Sequence, residues 1–292
     1  MMAEVVYING TLVPQEEAKV SIFDRGFLYG DGLFETMRSY SGHVFRLEHH
    51  LSRLFSALKI LNLDIPFNPS QLKKAIYHTL KANNLNEAYI RLCVSRGEGP
   101  LGLNPTPCRT PKVIIITKNF EPYPAISYEE GLRAVVASTR QNTASPLSKI
   151  KSANFLNYIL AKMEALSKGV DEGILLNNEG YVAETTTSNI FMIKDGILST
   201  PSEGSGILPG ITRQTILEIS YSMGIKVFER KISIDELFES QECFLTNTLM
   251  EVMPLVEIEG LPIGNGRPGP LTIKLRQSYQ ELVKREVNTK ST

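Results

Sequence analysis

The chain has 292 residues, 42% of them apolar and 21% charged, with 31 basic and 31 acidic side chains in balance. It is long enough for two modest domains, and it lacks the basic excess of a nucleic-acid binder. No Lys/Arg run exceeds two residues and the longest apolar runs, such as Val113–Ile116, are far too short to cross a bilayer. The first residues, Met1 to Tyr7, lack the basic start and apolar core of a signal peptide, so a cytoplasmic protein is expected. Cys93, Cys108 and Cys243 are too widely and irregularly spaced for a disulfide framework or a zinc site, and no metal is expected.

In chain order, Asn9-Gly10 between apolar flanks predicts a hairpin. A second hairpin is predicted from Phe34–Tyr40 through Ser41-Gly42 into Val44-Phe45. Leu47, Leu51, Leu54, Phe55 and Leu58 follow at helical spacing, and Ser70 is the expected cap of a helix running to about Lys81. Strands are predicted over Tyr89–Ser95 and Lys112–Thr117, then a Pro-containing linker over 119–128. A second block begins with Leu132–Ser138. A helix over about 154–167 carries Leu156, Ile159, Leu160, Met163 and Leu166 on one face, with Gly169 at the expected C-cap. Hairpins at Asn178–Gly180 and Asp195-Gly196, a helix from Ile211 to about Met223, a capping box at Ser233/Glu236 and a last helix over about 271–287 complete the reading. Strands and helices come in clusters rather than in alternation, which favours an α+β fold.

Several residues could carry chemistry. Lys149 and Lys151 precede an amphipathic helix; as a lone feature, two solvated loop lysines is the ordinary reading. Glu184 lies among small hydroxylic residues between apolar strands, and an exposed edge charge is its ordinary reading. Pro209-Gly210 turns into a helix whose first amides, with the Thr212 hydroxyl, form either an anion site or a plain helix start.

Six separated motifs nonetheless resemble, in order, those of the class IV aminotransferases. They are Asp24–Glu35 (DRGFLYGDGLFE), His50–Leu54 (HLSRL), Lys151–Asn154 (KSAN), Glu184 through Asn189-Ile190-Phe191, Leu208–Arg213 (LPGITR) and Asn247–Pro254 (NTLMEVMP). The resemblance implies a pyridoxal-5′-phosphate enzyme of fold type IV. A small N-terminal α/β domain (1–118), a linker (119–128) and a larger C-terminal pseudo-barrel α/β domain (129–292) carrying the cofactor lysine are then expected. It further implies Lys151 as the Schiff-base lysine and proton shuttle, and Glu184 as partner of the pyridine nitrogen. Arg53, the amides of Ile211 and Thr212, and Thr248 would hold the phosphate. Many relatives have a tyrosine on the cofactor's ring oxygen a few residues after the lysine, where this chain has Phe155, with Tyr158 further along.

Within the family, Tyr89-Ile90-Arg91 is similar to the substrate-pocket pair of the branched-chain enzymes, and Arg96–Pro105 resembles their interdomain loop, which covers the neighbouring subunit's site. The resemblance implies Phe34, Tyr89, Arg91, Arg96, Thr248 and Leu249 as substrate residues, with a homodimer as the assembly. It implies transfer of the amino group of branched-chain L-amino acids to 2-oxoglutarate by a ping-pong mechanism. D-amino-acid or (R)-amine transamination and 4-amino-4-deoxychorismate cleavage are the alternatives. The D-amino-acid enzymes carry a histidine in that loop, and this chain has none there. For Arg91, an interior arginine paired with a carboxylate is the other reading.

Overall fold

A computed structural model describes residues 4–289. Its backbone divides into two units. The first comprises residues 4–121, 150–154 and 286–289; the second comprises 122–149 and 155–285. The elements of the first are β1 (Val5–Ile8), β2 (Thr11–Pro14), α1 (Arg25–Tyr29), β3 (Gly32–Tyr40), β4 (His43–Val44), α2 (Leu47–Ile60), α3 (Pro69–Ala82), β5 (Ala88–Ser95) and β6 (Lys112–Asn119). They form an antiparallel sheet in the order β2-β1-β6-β5-β3-β4.

Period-two alternation sorts that sheet into two faces. Leu33 and Met37 of β3, Ile90, Leu92 and Val94 of β5, and Val113 and Ile115 of β6 are buried in one core with Leu47, Leu51, Leu54 and Leu58 of α2 and Leu72, Ile76 and Leu80 of α3. Each such side chain stabilises the fold by about 1.5–3 kcal/mol on burial. Asn68, not Ser70, caps α3: its side chain accepts from the Gln71 amide and Gln71 reaches back. Pro69 then occupies the first helical position, which suits its fixed φ and missing N–H.

The second unit continues with α4 (Ala125–Glu130), a helix inside the expected linker, and β7 (Leu132–Gln141). There follow α5 (Leu156–Ser167), β8 (Glu172–Asn177), β9 (Val182–Thr185), β10 (Asn189–Lys194) and β11 (Ile197–Pro201). Next come α6 (Ile211–Ser222), β12 (Val227–Arg230), α7 (Ile234–Phe238), β13 (Glu242–Asn247), β14 (Glu251–Ile258), β15 (Leu261–Pro262) and α8 (Pro270–Thr289), whose residues from Glu286 on group with the first unit. The sheet runs β12-β11-β10-β13-β14-β7-β8-β9, with β15 on β14. The strand at its end, β9, comes back against β10 and β11, so the sheet curls into a half-barrel. The fold is α+β, as the clustering of elements predicts.

One expectation changes. Residues 150–154 group with the first unit, not with 129–292, because they pair with the start of β3. The Phe34 amide donates to the Lys151 carbonyl (2.9 Å), the Ala153 amide to the Gly32 carbonyl (2.9 Å), and Ser152 bridges Leu33. The apolar stripe of α5 does not face the core. Leu156, Ile159, Leu160, Met163 and Leu166 are 48–66% exposed, whereas Ala161 and Ala165 are buried. The reason is close backbone approach: a Cβ on Gly173 would lie 2.9 Å from the Ala161 carbonyl oxygen, so only small residues fit where the helix meets β8.

Candidate active site

In the first unit the register sets out the candidates. Phe34 stands opposite Cys93, Thr36 opposite Arg91 and Arg38 opposite Tyr89. Directly opposed residues share a face, so Phe34, Tyr89 and Arg91 all lie on the face turned away from α2 and α3. The pairing of 151–153 with β3 brings Lys151 to the same place, with Nζ 4.7 Å from the centroid of the Phe34 ring. The Arg91 guanidinium lies 3.9 Å from that centroid. No hydrogen bond or ion pair ties Arg91 to the described residues, so the reading of an interior arginine neutralised by a carboxylate does not hold. Lys151 is half-buried and Lys149 exposed, which separates the two lysines physically.

The opposite face holds Glu35, 1% exposed, among the core residues. An ionised carboxylate there needs compensation, and α2 supplies it three residues apart. His50 Nδ1–H donates to Oε2 (2.7 Å), while Arg53 donates from Nε to Oε1 (2.8 Å) and from Nη2 to Oε2 (2.6 Å). Burial pushes the Glu35 carboxyl up, but the Arg53 charge and the His50 and Arg53 hydrogen bonds outweigh it and bring it down to about 2. Burial lowers His50 despite Glu35, so the imidazole is neutral at pH 7; the charge of Lys151 acts on it in the same sense. The Nε/Nη2 edge of Arg53, whose fork was expected to grip a phosphate, is therefore committed to Glu35.

Arg96, an expected substrate residue, is not brought to the Phe34 face. It donates to Asp31 Oδ2 (2.8 Å) and to the Leu61 and Asn62 carbonyls (2.9 and 3.2 Å). Asp31 also takes Arg25 Nε–H (2.9 Å), and Arg25 Nη1–H donates to the Gly102 carbonyl (2.7 Å), so these arginines strap the 96–105 loop to α1.

In the second unit Glu184 is 4% exposed, which removes its edge-charge reading. Oε1 accepts from the Tyr158 hydroxyl (2.8 Å) and Gln141 Nε2–H (3.1 Å), and Oε2 from the Leu208 amide (3.0 Å). Ile211 and Thr212 open α6 behind Gly210, which offers no side-chain cap, so the first amides of that helix face outward with the positive dipole end. A Cβ on Gly210 would stand 2.0 Å from Asn189 Oδ1, so a larger residue there would have to displace the Asn189 side chain. Asn189 donates its side-chain amide to the Leu208 carbonyl (2.9 Å) and stands opposite Thr246 in the ladder. That one residue ties the α6 entry to the end of β13. Thr248 and Leu249 follow in the next turn, closed by Asn247 Oδ1, which accepts from the Leu249 and Met250 amides (2.9 and 2.8 Å). Thr246 Oγ1, on the same ladder position as Asn189, is buried without a hydrogen-bond partner among the described residues.

Sequence reasoning gave no role to Glu35, His50, Gln141 or Tyr158. Glu35 carried a readable signal: it alternates with Leu33 and Met37 on the core face, where an acid requires a partner. Gln141 carried none.

Among the described residues no group of His, Cys, Asp and Glu could hold a metal ion, and no helix is long and apolar enough to cross a membrane. Taken by itself, the first unit offers a half-buried amine and an arginine, and the second a buried carboxylate held by N–H and O–H donors and a helix start with no side-chain cap. By their chemistry an amine can link to an aldehyde, a carboxylate can pair with a basic ring nitrogen, and an arginine or a helix start can attract a phosphate. Residues 32–258 match the family model for amino-transferase class IV. The branched-chain-amino-acid aminotransferase of Pseudomonas aeruginosa is 37% identical over 286 residues, covering 96% of this chain and 92% of that protein. The T.th. branched-chain amino acid aminotransferase, solved with pyridoxamine 5′-phosphate, superposes with a TM-score of 0.92 at 35% identity, covering 97% and 95% of the two chains. The Escherichia coli enzyme of that name gives 0.93 at 33% identity over 96% and 95%. The chain belongs to the class IV aminotransferases, enzymes that work through pyridoxal 5′-phosphate.

Proposed function

We propose that this protein transfers the amino group of branched-chain L-amino acids to 2-oxoglutarate by a ping-pong mechanism. The observation that carries the reading is the Phe34 ring, with the Lys151 amine 4.7 Å and the Arg91 guanidinium 3.9 Å from its centroid. An amine for proton transfer, a cation for a carboxylate and an apolar ring for a side chain stand together there.

Bound pyridoxal phosphate supplies an aldehyde that links to amines and a protonated ring that accepts electrons as the α-proton departs. In this reading Lys151 is the residue that would hold the cofactor through its aldehyde, and its Nζ would serve as the base for the proton at the substrate Cα. Glu184 keeps the ring nitrogen protonated by charge pairing. Arg53, the Ile211 and Thr212 amides and Thr248 bind the phosphate. The Nε/Nη2 edge of Arg53 serves Glu35, so its part is to bring a fixed positive charge rather than that edge of its fork. Arg91 orients the carboxylate, while Phe34, Tyr89 and Leu249 enclose the side chain and exclude water. Arg96 acts only by shaping the 96–105 loop.

The protein is also proposed to be a homodimer. The exposed stripe Leu156, Ile159, Leu160, Met163 and Leu166 supports this, because an apolar helix face of that extent is stable when another surface covers it.

Initial rates with L-leucine, L-isoleucine and L-valine against 2-oxoglutarate test the reading. Release of the matching 2-oxo acids with parallel double-reciprocal plots is expected. One methylene in an apolar pocket is worth about 1–3 kcal/mol, so discrimination among the three should be modest. Faster turnover of D-alanine than of L-leucine would sink it in favour of the D-amino-acid reading. Pyruvate release from aminodeoxychorismate without an amino donor would favour the lyase.

A further inference from the structure

Tyr158 lies on the buried side of α5 with Ala161 and Ala165, three and seven residues on, which is one helical face. The close approach of Ala161 to Gly173 sets the height of that face over β8, and the Phe155 ring, 4.8 Å from the Tyr158 ring, bears on its plane. The hydroxyl is thereby delivered to Glu184 Oε1 at 2.8 Å. Gln141 Nε2 donates to the same hydroxyl oxygen at 2.6 Å. An amide nitrogen only donates, so the phenolic proton cannot go to Gln141 and is directed at the carboxylate. The chain Gln141→Tyr158→Glu184 is polarised in one sense, and it is satisfied when Oε1 carries no proton. Leu208 N–H secures the other oxygen at 3.0 Å.

We propose that Tyr158 is the positioning residue of Glu184, fixing the orientation of the carboxylate and holding it ionised through a hydrogen-bond relay from Gln141. The inference rests on the reading of Glu184 as the acid at the cofactor's ring nitrogen. It adds that the electron-withdrawing strength of that ring is set from α5, through the Tyr158 hydrogen bond to the carboxylate. Burial, together with the Glu184 charge and hydrogen bond, raises the Tyr158 phenol, so the hydroxyl keeps its proton throughout the working pH range.

The test compares Tyr158→Phe, Glu184→Gln and the double variant in the holoenzyme. It reads kcat, KM, the pH dependence of the bound cofactor's visible band, and the melting of the cofactor-free protein. Tyr158→Phe keeps the ring and loses one charge-assisted hydrogen bond. A fall of about tenfold in kcat is expected, with KM little changed and the titration of the visible band displaced. The double variant should be no slower than Glu184→Gln alone, because a residue that acts through another has nothing left to act on. An additive loss in the double variant, or an unmoved band, would overturn the positioning role. A Glu184→Gln effect with a silent Tyr158→Phe overturns this inference alone, whereas a Glu184→Gln variant with wild-type rate and band overturns the ring-nitrogen reading as well. If Tyr158→Phe melts below the assay temperature, Gln141→Leu removes the donor to the Tyr158 hydroxyl together with the direct Gln141 hydrogen bond to Glu184 Oε1 (3.1 Å), so it tests the Gln141–Tyr158–Glu184 network as a whole. It should displace the band in the same direction, and an unmoved band there overturns the proposal.

Discussion

Arg53 joins a buried ion pair and a proposed phosphate site, and the two roles can be separated. Arg53→Ala removes the cation that holds Glu35, a carboxylate 1% exposed in the core of the first unit. Carrying its pKa from 4.5 to about 2 corresponds to about 3 kcal/mol, in the range of ~3–5 kcal/mol for breaking a buried pair. The cofactor-free variant should therefore unfold at lower denaturant concentration at pH 7. The sign with pH is fixed. Glu35 is depressed in the folded wild type, so its contribution is complete above 4.5 and lost as pH falls towards 2. Without Arg53, burial dominates and the same carboxyl is raised, so the cost of the substitution should shrink on acidification. A cost independent of pH would refute the ion-pair account. Arg53→Ala combined with Glu35→Leu removes both charges and should recover most of the stability while still binding pyridoxal phosphate more weakly. The affinity loss expected for one charge-assisted contact is about one to two decades. Wild-type affinity in that double variant, measured by equilibrium titration, would leave Arg53 with a structural role only.

Reduction of the holoenzyme with borohydride and peptide mapping should put the pyridoxyl mass on Lys151; finding it on exposed Lys149 would reassign the lysine. Arg91→Lys should raise KM for amino acids far more than it alters cofactor affinity, since the lysine ammonium lacks the planar fork that stacks on Phe34. Equal KM values would remove Arg91 from the substrate site. Leu160→Glu with Met163→Lys should shift the sedimentation coefficient from dimer to monomer, and an unchanged value would place the subunit contact elsewhere. His50 is lowered by burial, so acid unfolding of the cofactor-free protein should begin below the ordinary histidine value of 6.5, where the unfolded chain takes a proton that the folded one refuses. A His50→Asn variant whose acid limb begins at the same pH would contradict this.

Local rules carried the reading of the elements a long way, because hairpin turns, helix periods and caps depend on residues a few positions apart. The Asn9-Gly10 hairpin and the Ser233/Glu236 capping box are both found where those rules put them. The miss at Ser70 was local too: Asn68 with Pro69 and Gln71 offers a better cap two residues earlier. The α5 stripe shows the limit of periodicity. It identified the helix and its apolar face, but which face turns inward depended on Gly173 and the alanines, where backbones come too close for leucine.

The candidate site divides in the same way. The motifs around Lys151, Glu184 and Leu208–Arg213 stand in the sequence, and by resemblance they named the family, the cofactor and the lysine. That Phe34, Tyr89 and Arg91 share a face follows from strand register, which pairs residues more than fifty positions apart. Tertiary structure alone joined Arg53 to Glu35 and Tyr158 and Gln141 to Glu184, and it drew residues 150–154 to the edge of β3. The physical reason is that a buried charge takes its partners from whatever chain folding brings within about 3 Å, and no local pattern encodes that distance.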